Sequence, residues 1–79
     1  GAYELKESTR DSYGVITSAR VKWPDGTSGV FTTTAKNATW LAIDAYQVTH
    51  PESGKTVMQA AVTRDADGNV IIKPVLTIA

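Results

Sequence analysis

The chain has 79 residues, eight basic and eight acidic side chains, and no cysteine. That length makes one small domain, able to bury roughly 60 to 65% of its unfolded surface and too small for a deep active-site cleft. The charge balance argues against the dense positive field that nucleic acid or an acidic membrane calls for, and the missing cysteines exclude a disulfide-stapled scaffold and a thiolate metal site.

From the start of the chain, Gly1-Ala2 reads as a cloning remnant or as the cut end of a longer polypeptide. Residues 1–13 are polar, with the charged run Lys6-Glu7-Ser8-Thr9-Arg10-Asp11 after Tyr3 and Leu5. They read as an N-terminal arm or edge strand leading into a single β domain at residues 14–79. Val15, Thr17, Ala19, Val21 and Trp23 then alternate with Ile16, Ser18, Arg20 and Lys22, the pattern of a half-buried strand. Pro24-Asp25-Gly26 is a turn in which proline presets one corner and glycine supplies the positive φ that follows. Ser28 to Ala35 is predicted to return antiparallel.

Asn37 to Thr49 has two readings. Asn37 could cap a helix with Trp40, Ile43 and Tyr46 on one stripe. Strand is preferred, because Leu41, Ile43 and Ala45 alternate with Trp40, Ala42, Asp44 and Tyr46 and the flanks are rich in threonine. His50-Pro51-Glu52-Ser53-Gly54-Lys55 breaks the pattern. Thr56 to Thr63 and Val70 to Ile78 are predicted strands on either side of Arg64-Asp65-Ala66-Asp67-Gly68-Asn69, where Asp-Gly suggests a type I′ hairpin with φ > 0 at both central residues. Pro74 demotes the last strand to an edge or demands a bulge. Threonine, valine and isoleucine supply 24 of the 79 residues. The expected fold is therefore all-β, a small antiparallel β-barrel or sandwich of about six strands that closes most of its own edges. The apolar runs are a few residues long, against the roughly 20 that span a bilayer, and no leader-like start is present, so a soluble chain with no membrane partner is expected.

Candidate chemistry is sparse. Ser53-Gly54-Lys55-Thr56 resembles the end of a phosphate-binding loop, but Thr49 stands where its first glycine belongs and a strand, not a helix, is predicted to follow. Asp65, Asp67 and Asn69 have the alternation of a calcium loop without its closing glutamate, and a plain turn explains them. His50 is the only histidine, and no serine-histidine-carboxylate spacing or metal set gathers around it in sequence. The sequon Asn37-Ala38-Thr39 lacks a leader to give it meaning. No cofactor and no catalytic or metal residue is expected, and the chain reads as a non-enzyme. Arg20, Lys22, Trp23 and Phe31 put basic and aromatic groups on one hairpin, as an oligonucleotide-binding barrel would. Core or interface packing is the preferred reading of those aromatics.

The second half of the chain resembles a β-rich segment in the major coat proteins of tailed bacteriophages, in the group whose capsid fold carries an inserted β-barrel domain. The resemblance covers residues 40–75. Ile43-Asp44-Ala45-Tyr46 stands at the place of an apolar strand, with Ala45 where the family has glycine. His50-Pro51 with Lys55, Val62-Thr63-Arg64-Asp65 and Gly68-Asn69-Val70-Ile71-Ile72-Lys73-Pro74 then follow in the family's order. What the resemblance implies is a structural role in a phage-like particle as a coat accessory, decoration or tail-associated module. Its partners would be other virion proteins or copies of itself, and its location the virion or the bacterial cytoplasm during assembly. Trp23, Phe31, Trp40 and Tyr46 are the candidate interface or ligand-contact aromatics. Two alternatives accompany this reading, a carbohydrate-binding or adhesin-like β module with Trp23 or Tyr46 as an exposed stacking platform, and the oligonucleotide-binding barrel.

Overall fold

The structure is a computed structural model and describes residues 3–79, so Gly1-Ala2 lies outside the described residues. These residues form β1 (Glu4–Arg10), β2 (Ile16–Lys22), β3 (Ser28–Asn37), β4 (Ala42–His50), β5 (Lys55–Gln59), β6 (Thr63–Arg64), β7 (Val70–Ile72) and β8 (Thr77–Ile78). The main sheet has the order β1-β2-β3-β4-β5-β8, every neighbouring pair antiparallel, and β6 and β7 make a separate two-stranded ribbon. The all-β expectation holds, but the sheet stays open at β1 and β8 and no closed barrel forms. No helix among the described residues is long and apolar enough to cross a membrane.

Much of this follows from local sequence. The arm at residues 1–13 becomes the edge strand β1 followed by the turn Asp11–Gly14, which sequence reading did not anticipate. That turn is closed by the Gly14 N–H on the Asp11 carbonyl at 3.0 Å. The Trp23–Gly26 and Asp65–Gly68 turns close the same way, at 2.9 and 3.1 Å. In each, an aspartate carboxylate accepts backbone N–H groups from residues just beyond it, the local bond that makes aspartate a turn residue. Only Gly68, at φ 86°, is left-handed in the Asp65–Gly68 turn. The expected type I′ geometry is thus replaced by a turn with glycine at its last corner, and the β6–β7 register shifts by one residue there.

Asn37 is a cap, as its position suggested, but of a single turn. Its Oδ1 accepts the N–H groups of Thr39 and Trp40 at 3.0 Å each, and Leu41 leaves the turn at φ 51° to start β4. The strand reading of the segment therefore prevails. The two long strands predicted near the C-terminus are each divided. Thr56 to Thr63 breaks after Gln59, and Val70 to Ile78 breaks around Pro74, whose missing N–H cannot serve a ladder. The pieces separate to different partners, β7 to β6 and β8 to β5.

Alternation places Val21 and Ala19 of β2 on one face, opposite Gly29 and Phe31 of β3, with Val48 of β4 beyond. Ala19, Val21, Phe31 and Val48 form the buried cluster, and Tyr3, Ile16, Trp23, Ile43 and Tyr46 pack against it. The opposite face carries Arg20, Lys22, Ser18, Thr32 and Gln47, the polar set of a solvated antiparallel sheet. The molecule is thin, 40 × 28 × 18 Å, with a radius of gyration of 13.2 Å. A compact chain of this length has about 12 Å.

Candidate functional site

At one end of the sheet the turns after β2 and β4 meet. Trp23 lies across β3 and donates its indole N–H to the Thr49 carbonyl at 2.9 Å, with Tyr3 and His50 edge-on to its ring at centroid distances of 5.2 Å. His50 Nε2 donates to Asp25 Oδ2 at 2.8 Å, and His50 Nδ1 faces Ser53 Oγ at 2.7 Å. Since the carboxylate can only accept, the network assigns the proton to Nε2 and leaves Nδ1 to accept from the serine. Asp25 of one turn meets His50 and Ser53 of another, a meeting that sequence reading did not anticipate. The only local signal was that each is a turn residue.

The order carboxylate, histidine, serine is that of a hydrolytic triad, but the serine sits three residues after the histidine in one tight turn. Ser53 Oγ also approaches the His50 carbonyl at 3.1 Å and accepts the Lys55 N–H at 3.3 Å. Its hydroxyl is committed to holding that turn. The arrangement staples two hairpin ends.

Asp25 Oδ1 accepts the Thr27 hydroxyl at 2.5 Å and the Thr27 N–H at 2.9 Å. Those two bonds, followed by His50, hold the Asp25 carboxyl down to about 2. A carboxylate whose folded value lies below its unfolded one stabilises the fold above the unfolded value, and that contribution disappears as pH falls toward 2. Asp25→Asn is therefore expected to lower Tm at pH 7, and the gap between wild type and variant should close between pH 4 and pH 2. Thermal melts across that range check it; parallel curves would remove Asp25 from the acid transition.

A second junction docks the β6–β7 ribbon. Arg64 Nε donates to Asp44 Oδ1 at 2.8 Å, both side chains being largely shielded, and the Arg64 guanidinium also donates to the Gly68 carbonyl at 2.9 Å. Asn37 Nδ2 reaches the other Asp44 oxygen at 3.3 Å, and the Val62 N–H binds the Asp44 carbonyl at 3.0 Å. Trp40 lies against Gly68, where a Cβ would come within 2.5 Å of its indole. Asp65, considered above for calcium, spends both carboxylate oxygens on Asp67 and Asn69 within its own turn.

The aromatics singled out from sequence separate into different roles. Phe31 is 5% exposed and stacks on Tyr46 at 5.2 Å, so it is core. Trp23 is half-buried in the turn cluster, and Trp40, 44% exposed, braces the ribbon. Arg20 and Lys22 point to the face opposite Trp23 and Phe31, so the basic and aromatic groups of that hairpin share no groove. Lys55 opens β5 and not a helix, so its turn lacks the phosphate-loop context.

Sequence reading missed a run of exposed aliphatic side chains near the C-terminal end. Val70, Ile71, Ile72, Val75, Leu76 and Ile78 are all exposed, Val75 at 82% and Ile78 at 67%. Their hydrophobicity was legible, but it was assigned to strand interiors. No known family model, curated protein or solved structure matches this chain.

Proposed function

We propose that the chain is a non-enzymatic interaction domain of a multi-subunit assembly such as a phage-like particle, acting through protein-protein contact. The observation that carries this is the apolar strip at residues 70–78 on a molecule with so small a core. Six large aliphatic side chains stand in water there. Concentrations of exposed apolar surface of this kind mark interaction sites more often than they occur by chance on monomers. The polar atoms nearest to chemistry, in Asp25, His50 and Ser53, are consumed in stapling turns, which supports a passive role. The resemblance of residues 40–75 to phage coat insertions supports the choice of assembly.

The genes flanking the coding sequence, and the proteins they encode, test this reading. Portal, scaffold, coat or tail genes are expected as neighbours, and the purified chain should co-sediment with at least one of their products. A chain that co-sediments with none of the neighbouring products would overturn it. The carbohydrate-binding alternative has less support, because Trp23 and Tyr46 pack against other rings and present no open platform.

A further inference from the structure

The two edges of the main sheet are finished differently. β1 carries Glu4, Lys6, Glu7 and Arg10, and its pairing with β2 is interrupted by two register shifts. Charged side chains and bulges are the devices that stop a second strand from adding to an edge. At the other edge, β8 is short and carries no charge, and the segment leading into it supplies Val75 and Leu76. Thr56 and Ala79 exchange both backbone hydrogen bonds, at 2.8 and 3.0 Å. The next residue pair, Val57 and Ile78, is therefore of the non-bonded kind, and the Ile78 N–H and C=O point away from β5 toward the open edge.

We infer that this edge and the strip at residues 70–78 join two copies of the chain across a twofold axis, β8 running antiparallel to β8. This names the partner of the surface described under Proposed function and rests on that reading. Three observations select a second copy. Val75, Leu76 and Ile78, exposed beside the edge, would each meet the same apolar side chains of the other copy across the twofold. Lys73 is the one charged side chain between Val70 and Ala79, so no charged side chain stands on the edge itself. An edge that offers both a donor and an acceptor at one residue, Ile78, is self-complementary about a twofold, and such pairing closes at two copies.

Sedimentation velocity and light scattering on the full chain, from about 5 to about 200 µM, test this by mass action. Wild type is expected to double in mass across that range. Ile78→Lys and Val75→Lys, at positions exposed in the single chain, should keep the far-ultraviolet circular dichroism and Tm of the monomer while weakening association at least about tenfold. Three results would each overturn the inference: wild type monomeric at the highest concentration, both variants dimerising as wild type does, or growth beyond two copies. Retention by products of neighbouring genes is a separate readout. A chain that stays monomeric yet binds them loses its second-copy partner while the interaction reading stands.

Discussion

Gly29→Ala is expected to destabilise the domain by at least about 3 kcal/mol, within reach of the roughly 4 to 12 kcal/mol that a domain of this size carries. Gly29 lies in β3 opposite Val21, with a negative φ that any residue could adopt, so its conformation is not the issue. A Cβ there would collide with the Thr49 backbone carbonyl oxygen of β4 and stand 2.9 Å from Trp23 Nε1. A side chain could rotate aside, but a backbone carbonyl moves only with its strand. The same oxygen accepts the Trp23 indole N–H, so relieving the clash also breaks that bond and lifts the ring from the Tyr3 and His50 cluster. Differential scanning calorimetry should show a fall in Tm of roughly 15 °C or more, with a red shift of tryptophan emission. A variant that melts within a few degrees of wild type would mean that β3 and β4 are not packed as described.

Phe31→Ala should cost about 4 kcal/mol, the usual range for emptying a buried phenylalanine site. Phe31 lies between Ala19 of β2 and Val48 of β4, and its ring stacks on Tyr46 at an interplanar angle of 23°. Removing the ring leaves Ala19, Val21 and Val48 of the buried cluster without their one large partner. Phe31→Leu, which keeps most of the volume, should recover more than half of the loss in chemical denaturation. An alanine variant within about 1 kcal/mol of wild type would place Phe31 on a surface, where sequence reading also allowed it.

These two positions separate what was legible from what was not. Phe31 and Val21 were readable as apolar members of alternating runs, because a strand's period of two is a property of adjacent residues. Gly29 was not readable as critical, because the atom that excludes a side chain there belongs to a residue 20 positions later. The same holds for His50. Its proline-bearing turn was evident, yet its partners Asp25 and Ser53 became a set only when the β2–β3 and β4–β5 turns came to the same end of the sheet. Asp44 and Arg64, the best-shielded ion pair among the described residues, lay in a predicted strand and in a predicted turn 20 residues later, with no local feature joining them.

The amino-acid sequence by itself determined the all-β class and the Pro24-Asp25-Gly26 and Asp67-Gly68 turns. Each follows from backbone preferences that reach only a few residues along the chain. The tertiary structure alone decided that the sheet stays open and that residues 70–78 divide between β7 and β8. It also decided that the apolar side chains of that segment face solvent instead of filling a barrel. Closure depends on the summed twist and register of all the strands, and on competition between β5 and β6 for the same C-terminal segment, which no short window of sequence contains.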